Sequence, residues 1–430
     1  MSPLLTGLKI EKIVYPGRSL AHDGGKVVFA DRGLPGETVE AEVVRERKSF
    51  AEARTVRIVE KSSARVDPRC RHYLACSPYQ DMDYGTQLEV KKAQVEEIVG
   101  HALDAFSGAL NVTPSPEIWG YRNRIRLRIV RQGGTARAVY HEPGERESFV
   151  PVDRCYLVSD AVNDLAAELV AFVGREEWEA VSDLEIRESR SRRRSLVIFH
   201  LESAARIEEM SGKLSGLHLR YPLSGIVGLV KDGTRVREET MGGVGRLEEV
   251  VCGISYRVGA RSFFQVNVAI LEKVFDDMAE AVKGMPDATV ADLYCGLGTF
   301  GLFLAGGARE VFGVEPDPAN LRYLKKNIEL NRAGNFSLCE GTSEAWLPEL
   351  LERGVDVVIL DPPRKGVDPE VLRELAAARV PLVLYLSCNP TTLARDLKIL
   401  RQAYGVRDLK IYDFFPHTPH IETLAVLSSL

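Results

Sequence analysis

The clearest hydrophobic pattern in the chain lies at residues 381–391, Pro-Leu-Val-Leu-Tyr-Leu-Ser-Cys-Asn-Pro-Thr. A near-continuous apolar run over 382–387 is cut off at Asn389 and Pro390, because proline cannot supply a ladder N–H. A run that is apolar on both faces suits a strand buried inside a parallel sheet. From about residue 262 this pattern recurs. Predicted strands at 289–294, 310–314, 336–339, 355–360 and 382–387 alternate with predicted helices at 318–331, 343–351, 369–377 and 391–402. A helix over 268–283 leads in, a Gly-rich turn and helix follow the first strand, and strands at 409–414 and 423–427 close the chain. Strands separated by helices predict a doubly wound α/β sheet.

The period changes in the first 60 residues. Val39, Ala41 and Val43 alternate with Thr38, Glu40 and Glu42, the period of two of a half-buried strand. Predicted strands at 8–15, 26–30, 37–45 and 55–59 are separated by turn signals at His22-Asp23-Gly24-Gly25 and Gly33-Leu34-Pro35-Gly36. A small closed β-barrel is expected, a form that often carries RNA. Residues 68–79 are loop-like and precede a helix over 85–101. Residues 115–255 read as β-rich with one helix near 159–173. Within them Ile125, Leu127 and Ile129 alternate with Arg124, Arg126 and Arg128, which puts the arginines on one strand face. The expected division is a barrel at 1–60, a central β-rich region at 61–258, and an α/β domain at 259–430.

Composition adds little to the fold. The 430 residues suit two or three domains at roughly 150 residues each. No apolar run reaches the ~18 residues of a membrane span, and the N-terminus carries no basic stretch ahead of an apolar core, so no signal peptide is expected. Seven cysteines, at 70, 76, 155, 252, 295, 339 and 388, are odd in number and scattered, which predicts a reducing, cytoplasmic setting. The net charge is −5. Basic charge is local, in Arg122, Arg124, Arg126, Arg128 and Arg131, and again in Arg187, Arg190, Arg192, Arg193 and Arg194. Such patches can deliver affinity for a phosphate backbone; a solvated strand face reads equally well for each cluster alone.

The candidate chemistry gathers where doubly wound sheets bind ligands, outside the carboxyl ends of the strands. Cys388 ends its strand there, although most free cysteines are small buried hydrophobes. Asp292-Leu293-Tyr294-Cys295-Gly296-Leu297-Gly298-Thr299-Phe300-Gly301 joins the first strand to its helix, with glycines that let the backbone approach a ligand. Glu315, about 20 residues on, can accept both hydroxyls of a ribose. The glycine spacing formally matches a dinucleotide site, but the residues ahead of it and the two late strands favour S-adenosylmethionine. Asp361-Pro362-Pro363-Arg364-Lys365-Gly366 ends another strand at the same edge. Amino-group methylating enzymes carry an aromatic after such a Pro-Pro pair, so Arg364 counts against N-methylation.

Together these pieces closely resemble the RNA (uracil-5-)-methyltransferase family. The likeness rests on Ser262-Phe263-Phe264-Gln265-Val266-Asn267, residues 292–301 and 361–366, Ser387-Cys388-Asn389-Pro390, and Pro416-His417-Thr418-Pro419-His420-Ile421-Glu422. The first 60 residues resemble the family's TRAM barrel. The resemblance implies a Rossmann-like, seven-stranded methyltransferase domain. Gln265, Tyr294, Glu315 and Asp361, with Gly296 and Gly298, would hold S-adenosylmethionine. Cys388 would be the nucleophile and Glu422 the base. Uracil C5 is a poor nucleophile. A thiolate added at C6 makes an enolate whose C5 can take a methyl group, and the C5 proton then needs a positioned base.

Members with a 4Fe–4S cluster use Cys-x5-Cys-x2-Cys and a distant fourth cysteine. Cys70, Cys76 and Cys155 match three positions, and Tyr79 stands at the remaining one. A cluster with a labile iron, a different fourth ligand, or no cluster all stay open; a structural or RNA-positioning cluster is the expectation carried forward. The barrel and arginines would grip RNA, with the target base flipped into the pocket. Ribosomal RNA, specifically 23S, is the favoured substrate and transfer RNA the alternative, with the chain acting as a monomer and without a membrane. Cytosine-5 methylation is disfavoured by the motif set around Cys388. A non-catalytic RNA-binding factor is disfavoured because Cys388 and Glu422 are both intact.

Overall fold

The computed structural model describes residues 3–100, 110–132, 135–145, 147–216, 220–233 and 235–430. Its three main sheets follow one another along the chain. The first has six strands, in the spatial order Leu4–Lys9, Thr38–Glu46, Phe50–Glu60, Lys26–Ala30, Arg18–Asp23, Lys12–Val14. The strand predicted at 8–15 is two strands, because the chain turns at Ile10 and Glu11, whose N–H groups donate to Glu37 and Leu20 on different neighbours. Leu8, Ala21, Val28, Val39 and Ala53 share one apolar core, so the sheet curls around it. The two end strands are consecutive halves of one bent segment, joined through Ile10 and Glu11, so the curled sheet returns on itself there.

The central sheet orders Phe149–Pro151, Thr135–His141, Arg124–Gln132, Val181–Ser189, Arg194–Leu201, Leu223–Asp232 and Arg235–Gly243. Neighbours are antiparallel except Arg194–Leu201 and Leu223–Asp232, which run parallel. A parallel pair needs a crossover, and the helix Ile207–Ser215 lies in it. That second helix was not expected. It starts after Arg206, in a left-handed conformation with no side-chain cap, so the usual Ser, Thr, Asp or Asn start signal is missing. The helix Asp160–Arg175 covers one face, packing on Ile125, Leu127, Ile129, Leu184 and Phe199. The predicted alternation therefore holds: Arg124, Arg126 and Arg128 take the opposite face.

The last sheet orders Phe336–Glu340, Glu310–Glu315, Thr289–Asp292, Val357–Leu360, Leu382–Ser387, Glu422–Ser429, Tyr404–Tyr412 and Val112–Thr113. The first five are parallel, and Glu422–Ser429 is antiparallel to both its neighbours. Seven strands come from the C-terminal half. The eighth, Val112–Thr113, pairs in parallel with Tyr404–Tyr412 and corrects the expected count. Every residue of Leu382–Ser387 is buried. Leu382, Leu384 and Leu386 face one core while Val383 and Tyr385 face the other, the period of two of a strand covered on both sides.

Three helices here begin with one device. Asp317, Asp368 and Asn389 each accept a backbone N–H two residues on, and each is followed by proline. The cap satisfies an orphan donor, and proline at the first helical position needs no partner. Pro390 thus opens the helix Pro390–Leu400 as well as ending the strand before it. The helix predicted over 85–101 runs Tyr84–Gly100; His101 lies outside the described residues.

Candidate active site

Four strand ends and one strand start meet along a single edge of the last sheet. Asp292 ends Thr289–Asp292, Glu315 ends Glu310–Glu315, and Asp361 follows Val357–Leu360. Cys388 follows Leu382–Ser387, and Glu422 begins the antiparallel Glu422–Ser429. Ser387 pairs with Thr423, so Cys388 and Glu422 are the next residues across the same ladder and stand at the same edge.

Backbone groups hold the acids at this edge. The Glu315 carboxylate accepts the N–H of Gly296 at 3.0 Å and of Asp317 at 2.7 Å. Asp292 accepts the N–H of Gly301 at 2.9 Å through Oδ2, while its Oδ1 is buried with no hydrogen-bond partner among the described residues. Gly296 and Gly298 have φ of 56° and 82°, a left-handed conformation that glycine adopts without strain. A Cβ at Gly298 would lie 2.8 Å from Leu324 Cδ1, whereas one at Gly296 would meet open space. Gln265 is anchored through its carbonyl, which accepts Asn123 Nδ2 at 2.9 Å. Tyr294 is half-buried, and burial pushes its phenol up to about 12.

Electrostatically the edge gathers buried acids of raised proton affinity around one cation, Arg364. Burial, with the charge of Glu315 added, pushes the Asp292 carboxyl up to about 7. Burial, with Asp292 added, does the same to Asp361. Glu422, 5% exposed, is held well above the carboxylate range by burial and by Asp361. Burial pushes the Cys388 thiol up to about 12, and the carboxylates of Glu422 and Asp361 push the same way. Arg364 opposes the rise at both Cys388 and Glu422.

Arg364 and His420 stood in the sequence motifs without a role. Arg364 Nη2 lies 3.4 Å from His420 Nδ1. Burial and nearby cations push that imidazole down to about 4, so it is neutral and Nδ1 accepts. The Arg364 carbonyl accepts Asn389 Nδ2 at 3.1 Å, tying the turn after Asp361 to the residue after Cys388. Tyr15, in the turn that follows Lys12–Val14, packs on the apolar core of this sheet, and its phenol feels the charges of Arg364, Cys388 and Glu422. No local signal could have placed Tyr15 there, because the contact spans most of the chain.

Cys70, Cys76 and Cys155 are brought near one another, each within reach of another's charge, but the expected iron–sulfur site has no fourth thiol among the described residues. Gln80 Nε2 donates to Cys70 Sγ at 3.3 Å and to Ser77 Oγ at 2.7 Å, and Ser77 Oγ lies 3.2 Å from Cys76 Sγ. Tyr79, at the position of the missing cysteine, is buried and its hydroxyl accepts from Gln94. No group of three or more His, Cys, Asp or Glu side chains among the described residues is arranged to hold a metal ion. Cys70, Cys76 and Cys155 therefore do not fit a four-iron cluster, because the third position supplies a buried phenol and side-chain amide and hydroxyl groups already bond two of the sulfurs.

Among the described residues no helix is long and apolar enough to cross a membrane. A family model described as tRNA (Uracil-5-)-methyltransferase matches residues 244–429. An uncharacterized RNA methyltransferase of Halalkalibacterium halodurans is 31% identical over 97% of this chain and 95% of its own length. Another, from Synechocystis, is 32% identical over 98% and 95%. Among solved structures, the Pyrococcus abyssi tRNA (uracil-54, C5)-methyltransferase in complex with S-adenosyl-L-homocysteine shares the fold, with a TM-score of 0.75, 24% identity and coverage of 98% of this chain and 100% of that one. With relatives of this identity matched along nearly their full length, the chain belongs to the RNA methyltransferase family, and its residues 244–429 match the (uracil-5-)-methyltransferase domain of that family.

Proposed function

We propose that the chain methylates C5 of one uridine in 23S ribosomal RNA through a covalent adduct between Cys388 and uracil C6, with Glu422 as the base. The ladder pair Ser387–Thr423 carries this reading, since it sets the thiol and the carboxyl at one edge. Cys388 gives its proton to solvent and its sulfur adds to C6, passing the C5=C6 electrons into an enolate over C5, C4 and O4. Bound S-adenosylmethionine would supply an electrophilic methyl group to C5. The Glu422 carboxylate then takes the C5 proton, the C5=C6 bond re-forms, and the thiolate leaves. Burial, which raises the proton affinity of Glu422, makes its ionised form a strong base. Arg364 is the cation that favours both ionised forms.

The residues present fit the methyl donor. Glu315 is fixed at the strand end with lone pairs left for two ribose hydroxyls, Gly296 opens onto free space, and Asp292 Oδ1 is a buried acceptor with no hydrogen-bond partner among the described residues. Gln265, Tyr294, Gly296, Gly298, Glu315 and Asp361 would hold it. We assign residues 1–60 to a TRAM-like RNA-binding module, 61–258 to a central RNA-binding region and 259–430 to the methyltransferase, acting as a cytoplasmic monomer. The 23S assignment rests on the likeness of the N-terminal sheet to that module. The transfer RNA reading has the description of the matched domain in its favour. Purified protein incubated with S-adenosylmethionine and unmodified ribosomal or transfer RNA transcripts tests both: nucleoside mass spectrometry should find 5-methyluridine in the ribosomal RNA. Product in transfer RNA alone would transfer the assignment, and none in either, with cofactor demonstrably bound, would sink it.

A further inference from the structure

The central sheet leaves part of one face uncovered. On that face Leu196, Ile198, Val227 and Leu229 pack into the core of the last sheet. Toward Arg124–Gln132 and Val181–Ser189 the apolar side chains give way to charged ones, and a groove of about 610 Å³ opens there. Basic residues along it outnumber acidic ones seven to three, in a chain whose net charge is −5. Two of the acids are consumed internally. Asp183 pairs with Arg126 and Arg128 at 3.3 and 3.5 Å, and Glu185 with Arg124, Arg187 and His200. Lys231, Arg235 and Arg261 are exposed on the groove and carry no ion pair among the described residues. Phe263, 58% exposed, stands beside them.

The groove is also joined to the cofactor edge. Buried Arg187 donates to the carbonyls of Gly259 and Ser262 through Nη1, at 2.9 and 2.6 Å, and to that of Ala260 through Nη2, at 2.9 Å. Residues 260–263 thus form a fixed wall of the groove, and Gln265 follows Phe263 by two residues, at most about 7 Å of extended chain. Asn123 donates through its backbone and side chain to the carbonyls of Val266 and Gln265, so the first strand of the groove is bolted to the same segment.

We propose that this groove is a binding site for an RNA strand, with Arg126, Arg128, Lys231, Arg235 and Arg261 on its phosphates and Phe263 stacked on a base beside the methylated one. Guanidinium groups held at fixed spacing along strands match phosphates along a backbone, and an exposed aromatic among cations suits an unstacked base. The proposal deepens the reading of the site as a uridine methyltransferase and rests on it for where the target base lies.

The test uses the full chain carrying K231E and R235E, exposed positions outside the catalytic edge, with R373E/K398E as a control of equal charge change on exposed helix positions outside the groove and both arginine clusters. The probes are fluorescent 23S ribosomal RNA and transfer RNA transcripts. The expected result for K231E/R235E is RNA binding weakened by about tenfold or more and a salt slope shallower by about 1.5 for two lost phosphate contacts. KM for RNA should rise, while kcat at saturating RNA and cofactor affinity stay put. R126Q/R128Q should repeat the loss with its fold checked by circular dichroism. RNA affinity and salt slope equal to wild type, or an equal loss in the control, would overturn the groove. The two readings fail separately: wild-type protein that binds RNA through the groove but makes no 5-methyluridine refutes the reaction alone, and methylation with wild-type binding in K231E/R235E refutes the groove alone.

Discussion

Lys91 and Asp413 form an ion pair, Nζ to Oδ1 at 2.5 Å, with neither side chain exposed to solvent. Lys91 also donates to the Phe415 carbonyl at 3.1 Å. The pair fastens the helix Tyr84–Gly100 to the segment between the last two strands of the chain, which leads through His417 and His420 to Glu422. Removing one partner leaves a buried uncompensated charge, so K91M should lose about 3–5 kcal/mol of stability in urea unfolding. K91M/D413L removes both charges and should recover most of that loss. A double variant as unstable as K91M would mean that the packing of the lysine stem, and not its charge, holds the seam.

The assigned roles of Cys388 and Glu422 separate on denaturing gels. E422Q stops the cycle after methyl transfer, because the C5 proton cannot leave and the thiolate cannot be expelled. The variant should accumulate a denaturant-resistant protein–RNA adduct carrying the transferred methyl group. C388A should form none, and C388A/E422Q should match C388A. Release of 5-methyluridine by E422Q at the wild-type rate would remove Glu422 from the proton transfer.

Arg364 lowers the proton affinity of both Cys388 and Glu422. Its loss should raise both. For R364Q the rising limb of kcat/KM against pH should move to higher pH by about one unit, with a rate near neutral pH about tenfold lower. H420Q retains an acceptor for the guanidinium and should keep most of the wild-type profile. A uniform drop in rate with no shift along the pH axis would assign Arg364 to binding alone.

Asp292 is fully buried, with its carboxyl pushed up to about 7, against about 3.9 in an unfolded chain. Between those values the folded protein holds a proton that the unfolded chain has lost. Stability therefore falls as pH rises from about 4 to about 7. D292N removes this dependence. Its advantage over wild type in urea unfolding should grow from near zero at about pH 4 to roughly 4 kcal/mol above pH 7. An advantage that does not change with pH would show that Asp292 is ionised in the folded state.

What the sequence determined by itself is local and periodic. Alternating apolar and polar positions announce strands and helices because side chains repeat every two or 3.6 residues, and Asp317-Pro318, Asp368-Pro369 and Asn389-Pro390 mark helix starts because capping and proline act within one turn. Those signals put Asp292, Glu315, Asp361 and Cys388 at strand ends. Tertiary structure decided everything that depends on which strand lies beside which. Glu422 shares the Cys388 edge only because the last strand inserts antiparallel next to Leu382–Ser387. Val112–Thr113 joins the last sheet from far upstream, and Arg126 and Arg128 meet Asp183 only across a ladder. Ionisation was decided there too, since burial sets it at Asp292, Cys388 and Glu422 and no stretch of sequence carries its own desolvation. The cysteine spacing suggested a metal site, and the fold does bring Cys70, Cys76 and Cys155 near one another, but at the third position the chain turns a buried tyrosine inward.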